Sequence, residues 1–456
     1  MRNVCLMLVL MCIWSSCTEQ EVHEVVVIGG GLMGSATSWH LAQAGLPVVL
    51  LEKQDSLYTT GSSYGDTRIT QKHSLLTDDE AFLHTRALKE TAGLIAYLNE
   101  RYEVARPYIM EHIYTTAIVT NIHPRNQKDA IVPILERQEV DFKIADSPAS
   151  ADEQFKMDIP DSLLVLREYG LYTGTLNPMS LINHLHLAID GMGSEVRYRS
   201  KVTGLTKQDD VFRIEVEHVA SGEVEVMLAR NVVAAAGPYT GSLLASLNPA
   251  ISDLIQPQRV AEAFLKLNDE RFASLTVPEQ VRYAMGFPLV NSFPNEKAQP
   301  YQATVEYFED NGNPLLKVGS QERSQVSNLD MVWGLNLSAQ EQGDAVDNLL
   351  DYTRLLGMSL TADDIEYVDG RSSVYSMTKT AVPYVSKVPD TNGDEIDGLV
   401  MLAGMSGTGA RAAMVYGLIA ANLVLGRQDE EVCFNYLMEK FRFDRLPNDR
   451  GTVCVM

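Results

Sequence analysis

An α/β (α+β) protein is predicted by three features of the sequence. An apolar run, a glycine turn and a helix follow one another from Glu24, the same succession returns from Leu399, and strand patterns broken by turn residues fill much of the interval. At 456 residues and 45% hydrophobic content the chain can bury a sizeable core and divides into two or three domains.

The first feature spans Glu24 to Lys53. Val25 to Ile28 suits a strand buried on both faces, and Gly29, Gly31 and Gly34 follow with GxGxxG spacing. The first glycine makes the turn, the second admits a pyrophosphate to the backbone, and the third lets the helix pack on the strand. The helix N-terminus offers N–H groups and the positive end of its dipole to phosphate. Val48 to Leu51 forms the next strand, and Glu52 at its end suits the two hydroxyls of an adenosine ribose. Three glycines packing a core turn would explain the spacing alone. Strand, helix and acid in their required places point instead to FAD or NAD.

Residues 1–17 precede this unit: Arg2, an apolar run from Val4 to Trp14, then Ser15, Ser16 and Cys17. The run is too short to span a bilayer and reads as a signal peptide. Its end resembles a bacterial lipobox, in which Cys17 would be lipidated and become the mature N-terminus, although Trp14 is a poor fit. An ordinary secretory signal or an uncleaved anchor are the alternatives. Cys5, Cys12 and Cys17 fall here, and Cys433 and Cys454 make no disulfide framework. The end, Cys454 to Met456, is one residue short of a prenylation box. A net charge of −23 repels nucleic acid and anionic lipid, which excludes both as surface partners.

Beyond Lys53, Gln54 to Thr70 reads as a loop. Asp79 to Arg101 is an amphipathic helix with Phe82, Leu83, Leu88, Leu94, Ile95 and Leu98 at helical spacing. Ile113 to Thr120 reads as a strand, Gln127 to Gln138 as a short helix, Leu163 to Tyr172 as strand-like, and Pro178 to about Ala188 as a helix opened by proline. A meander follows at Val202 to Lys207, Val211 to His218 and Glu223 to Ala229, then a separate buried strand from Asn231 that ends at Gly237. Leu247 to Glu366 carries no cofactor motif. Nothing in the chain repeats in tandem. The nine histidines form no metal constellation; His184 and His186 face different ways on a helix, which suits core or surface roles.

The second glycine turn, Gly404 to Gly409, lies between a strand and a long apolar helix. Its N–H groups would stabilise negative charge on the N1–C2=O edge of a reduced flavin. A plain packing turn is the alternative. Two such clamps on one chain favour FAD over NAD, which seldom needs the distal one.

GSSYGDTRIT (Gly61 to Thr70), NPLLKVG (Asn313 to Gly319), VYSMTKT (Val374 to Thr380) and GMSGTGAR (Gly404 to Arg411) resemble, in order and rough spacing, the motifs of the monomeric sarcosine oxidase and N-methyltryptophan oxidase group of the D-amino-acid oxidase-like FAD superfamily. The likeness runs from about Glu24 to Gly426. It implies a Rossmann-like FAD-binding domain (22–112, 168–246 and 367–430) interleaved with a substrate domain on a mainly antiparallel sheet (113–167 and 247–366), and a C-terminal tail, 431–456. Cofactor contacts are expected at Gly29, Gly31, Met33, Gly34, Glu52, Lys53, Ser62, Ser63, Arg68, Val202 and Gly237. Gly404, Met405, Gly407 and Thr408 are expected to add the second clamp.

Three residues carry the chemistry that the resemblance implies. Arg68 matches the arginine of the GDTR motif, which lies close to the flavin. Lys317 matches the lysine that activates oxygen, where a fixed cation lowers the barrier to superoxide; a surface lysine snorkelling after Leu315 and Leu316 is the alternative. Arg411 replaces a lysine that binds the substrate carboxylate, which a guanidinium can grip with two hydrogen bonds.

Departures from the pattern matter as much. Tyr375 stands where the family often has the cysteine that attaches FAD, so noncovalent FAD is expected. Ser63 and Tyr64 replace a histidine pair, Gln71 a second carboxylate-binding arginine, Gln321 a substrate-side histidine, and Met377 an active-site tyrosine. Tyr64, Gln71, Gln321, Tyr375, Met377 and Arg411 are thus the expected substrate side, and sarcosine itself is in doubt.

The expected reaction is oxidation of an amine or N-substituted amino acid, with hydride transfer to flavin N5, hydrolysis of the imine and reduction of O₂ to hydrogen peroxide. A dehydrogenase with another acceptor, a hydroxy-acid oxidase, and a flavin-binding surface lipoprotein without turnover are the alternatives. The protein is expected to be a monomer, exported and anchored to a membrane only through Cys17. A cytoplasmic site is the alternative, because FAD is made there and the N-terminus lacks a twin-arginine pair.

Overall fold

The computed structural model describes residues 21–56, 59–65, 68–75, 77–102, 109–111, 114–119, 124–155, 161, 163–170, 173–267, 284–286, 304–310, 313–319, 324–326, 328–333, 335–355 and 360–444. The leader with Cys17, Gln321 and Cys454 lie outside them. Two large sheets and a small one organise the described residues.

The first sheet is centred on the strand Val22–Ile28, which pairs in parallel with Val48–Leu51 on one side and with Val224–Ala234 on the other. Val25 and Val27 face a core shared with the helices Leu32–Gln43, Asp78–Tyr102, Pro178–Gly191 and Ala413–Leu425. Val26 and Ile28 face a second core under the meander. The apolar run is therefore buried on both faces, as a parallel strand requires.

Two separate strands were expected where Val224–Ala234 runs unbroken. Its first part pairs antiparallel with Val211–His218, and its last residues pair in parallel with Glu395–Ala403. One strand thus serves both the meander and the parallel core, and Arg230 and Asn231 between them are strand residues like the rest.

The second sheet is mainly antiparallel. Its strand Gln256–Leu267 lies between Asn313–Gly319 and Ile365–Met377, which brings three distant segments side by side. Arg68–Thr70 belongs to the small sheet and packs on the 3₁₀ turn Ala410–Ala412 that opens the Ala413–Leu425 helix. The expected C-terminal tail contains a helix, Val432–Lys440, whose Phe434 and Leu437 join the first core.

Candidate active site

The first glycine turn is held by its neighbours' backbones. Gly29 N–H donates to Leu51 O at 2.8 Å, and Gly30 N–H donates to Glu52 Oε2 at 2.8 Å. Gln54 N–H donates to Glu52 Oε1, also at 2.8 Å. The buried Glu52 carboxylate is fixed by these two donors, and its remaining lone pairs suit ribose hydroxyls. A Cβ on Gly34 would sit 1.9 Å from Gly29 O, so only glycine lets the helix start this close. Leu32 N–H donates to Ser63 Oγ at 3.2 Å, and among the described residues the N–H groups of Gly31 and Met33 are left for a phosphate.

Behind the turn runs a chain that sequence reading missed. Tyr198 Oη lies 2.7 Å from His186 Nδ1, His186 Nε2 lies 2.8 Å from Ser35 Oγ, and Ser35 donates to Gly30 O at 2.8 Å. Because Ser35 spends its proton on Gly30, it accepts from His186 Nε2–H, and Nδ1 accepts from the tyrosine. Burial lowers the His186 pKa to about 4 and keeps the ring neutral in this role.

Both glycine turns open on one cavity of about 600 Å³. Of the expected cofactor contacts, Gly29, Gly31, Met33, Glu52, Lys53, Ser62, Ser63, Arg68, Val202, Gly237, Met405 and Gly407 line it, as does Tyr375. Gly34, Gly404 and Thr408 do not. Gly404 N–H donates to Ser376 Oγ at 3.1 Å, Ser406 N–H to Ser376 O at 2.9 Å, and Thr408 N–H to Met405 O at 3.0 Å. Half of the second turn's donors are used by the turn and by Ser376, and among the described residues those of Met405, Gly407 and Gly409 are left for a ligand. The described cysteine, Cys433, is free and lies away from the cavity.

A second group adds Tyr239, Asp330 and Trp333, which sequence reading missed, to the expected Lys53. The Lys53 ammonium lies 4.0 Å over the Tyr239 ring, Tyr239 Oη donates to Asp330 Oδ1 at 2.7 Å, and Trp333 Nε1 donates to Tyr239 Oη at 2.9 Å. All four residues line the cavity. Burial lowers the Lys53 pKa against the pull of Asp330 and Glu52.

Lys317 is 4% exposed, so it does not snorkel to the surface. Its Nζ lies 3.9 Å from Glu262 Oε1, and Arg371 grips Glu262 Oε2 from Nε and Nη2 at 3.3 and 3.2 Å. Arg68 acts on the same carboxylate electrostatically and donates to Tyr64 O at 2.9 Å. Glu262 and Arg371 were not expected here. A lone glutamate between Ala261 and Ala263 gives no signal until the sheet sets it opposite Arg371.

Of the described residues expected on the substrate side, Tyr375 lines this cavity, and Tyr64, Gln71, Met377 and Arg411 are not among its lining residues. Met377 is buried in its strand, Tyr64 lies under the Arg371 guanidinium, and Gln71 Nε2 donates to His73 O at 2.8 Å. Arg411 forms no hydrogen bond or ion pair among the described residues. Its charge is felt by the buried His84, whose pKa is held well below its ordinary value by burial first, then by Arg411 and His73. His84 Nδ1 has no partner among the described residues, and His73 is paired with the buried Glu168. Arg411 and a buried ring nitrogen without a described partner thus lie within electrostatic reach of each other.

The residues fit a dinucleotide: a fixed acid for a ribose, two helix-start turns with spare N–H groups, and one cavity that joins them. A family model described as FAD dependent oxidoreductase (DAO) matches residues 24–423. The chain is 27% identical to peroxisomal sarcosine oxidase of Homo sapiens over 232 residues, which is 50% of this chain and 54% of that protein. It is 22% identical to a probable sarcosine oxidase of Arabidopsis thaliana over 88% of each chain. Its fold is similar to that of iminodiacetate oxidase from Chelativorans sp. BNC1, with a TM-score of 0.65 and 16% identity over 92% of this chain and 98% of that one. It is likewise similar to L-proline dehydrogenase from P. horikoshii, with a TM-score of 0.64 and 15% identity over the same shares, 92% and 98%. With both glycine turns on one cavity and the family match spanning nearly all the described residues, the chain belongs to the DAO family of FAD dependent oxidoreductases, and FAD is its cofactor.

Proposed function

We propose that the protein is an oxidase of an amine or N-substituted amino acid that carries a carboxylate, with noncovalently bound FAD. The observation that carries this reading is the buried ammonium of Lys317, brought by the second sheet into one charge cluster with Arg68, a residue of the cofactor cavity. The named relatives, sarcosine oxidases, support the donor class.

FAD, when bound, supplies the acceptor for the hydride that leaves the donor carbon and passes the electron pair to O₂. The residues do the rest. Arg411 binds the substrate carboxylate through charge-assisted hydrogen bonds. Lys317 is a fixed cation that favours the negative charge developing on reduced oxygen. Glu52 and the N–H groups of Gly31 and Met33 hold the cofactor in register. The nitrogen gives its proton to water as the carbon loses hydride, and the imine takes up water to give a carbonyl and a free amine.

Purified protein mixed with N-methyl amino acids, ordinary amino acids and 2-hydroxy acids should consume oxygen and form hydrogen peroxide with the nitrogen compounds. Electrons delivered to a quinone but not to oxygen would make it a dehydrogenase. Hydroxy acids as the better donors would move it to another branch of the family. The reading includes a monomer exported by the 1–17 segment and lipidated at Cys17, which mass spectrometry of the mature N-terminus tests.

A further inference from the structure

Glu262 has no part in the chemistry above, yet it stands at the centre of the charge cluster. It is 6% exposed, on the strand that pairs with both Lys317's strand and Arg371's. Burial by itself would raise its pKa. Lys317, Arg68 and Arg371 outweigh burial and hold it down to about 2, so the carboxylate is ionised at any working pH.

The cations around it reach the cofactor cavity by way of the loop 61–65. Arg68 donates to Ser62 O at 3.3 Å and Tyr64 O at 2.9 Å, while the Arg371 guanidinium lies 4.5 Å over the Tyr64 ring and 5.0 Å over that of Phe264. A Cβ on Gly65 would lie 2.3 Å from Arg371 Nη2 and 3.1 Å from Arg68 Nη1, so the loop is moulded against both guanidinium groups. Ser62 and Ser63 of that loop line the cavity, as Arg68 does. Three cations that act on one buried carboxylate repel one another unless that anion lies among them. The sheet supplies one in Glu262, on the strand between those of Lys317 and Arg371.

We infer that Glu262 is a positioning residue for this wall of the cofactor site: its charge gathers Lys317, Arg371 and Arg68 into one array and tempers the positive potential they impose on bound FAD. The inference rests on FAD occupying this cavity. It does not depend on which acceptor or donor the enzyme uses.

Glu262→Gln keeps the shape and an acceptor oxygen for Arg371 but removes the charge. An added electron is then stabilised more, so the bound flavin becomes easier to reduce. The test is the midpoint potential of FAD-loaded protein, read against a reference dye during anaerobic reduction. E262Q should shift the equilibrium at least tenfold toward reduced flavin, about 30 mV for a two-electron couple. E262D should restore most of the difference. The double variant E262Q/R371Q, which removes one charge of each sign, should return near the wild-type potential.

Equal potentials in wild type and E262Q, at equal FAD content, would overturn the inference. If E262Q fails to retain FAD, the double variant decides. Retention with a wild-type potential supports charge balance, and loss in both makes Glu262 a packing residue and overturns it. Wild-type protein that holds no FAD at all would instead sink the cofactor assignment beneath it.

Discussion

Under the proposed function the cations Arg411 and Lys317 have different tasks, and their variants should separate accordingly. If Arg411 holds the substrate carboxylate, Arg411→Met leaves that anion without its bidentate partner, a loss of about 2 kcal/mol or more. The KM for carboxylate donors should then rise at least about 30-fold, with a much smaller change for a donor amine that lacks the carboxylate. Lys317→Met should slow flavin reoxidation by oxygen about a hundredfold, the scale of removing one preorganised charge, and leave reduction by substrate nearly unchanged. Rapid-mixing absorbance measures both steps, and equal effects on the two would remove Lys317 from the oxygen step. At this scale the sequence was readable where a motif fixes both partners, as with Gly29, Gly34 and Glu52. It was silent where the partner arrives from a distant segment. His186 meets Ser35, Glu262 meets Arg371 and Tyr239 meets Asp330 only after the sheets and helices pack.

The two glycine turns form one site because their helices touch. Leu32–Gln43 and Ala413–Leu425 cross so closely that a Cβ on Gly417 would lie 2.6 Å from the Ala36 carbonyl carbon, and His40 Nε2 lies 2.9 Å from Met414 O at the same contact. Gly417→Ala should therefore spread the helices and destabilise the protein by about 1–3 kcal/mol, as overpacking does. A lower denaturant midpoint and weaker FAD retention together would show it. An unchanged midpoint would mean that the contact yields freely. Element types were legible from apolar period and turn residues. The continuity of Val224–Ala234 was not, because Ala229, Arg230 and Asn231 look like a break until the strand takes antiparallel and parallel neighbours in succession. The pairing of Gln256–Leu267 with Ile365–Met377 was likewise hidden, since no local signal names a partner so far along the chain.

Across the whole molecule, an acidic chain of net charge −23 gathers Lys317, Arg371 and Arg68 around Glu262, with Arg68 lining the cavity, and several buried histidines are held neutral. His186, His40 and His84 all have lowered pKa values, so the unfolded chain binds protons in a range where the folded one does not. Stability should therefore fall with pH from about 6.5 toward about 4, the window set by His186. Denaturant titrations across that range should show the slope, and it should be shallower in His186→Gln. Below about 4.5 the unfolded chain takes up a proton at Glu262 that the folded carboxylate refuses down to about 2, which adds a second loss of stability as pH falls. The claim that joins these scales is that one cavity holds FAD against an amine donor anchored by its carboxylate. Anaerobic mixing of the FAD-loaded protein with N-methyl amino acids, ordinary amino acids, plain amines and 2-hydroxy acids, followed by flavin absorbance, tests it most directly. The account predicts bleaching by at least one carboxylate-bearing amine; no bleaching by any amine, or bleaching by hydroxy acids alone, would contradict it.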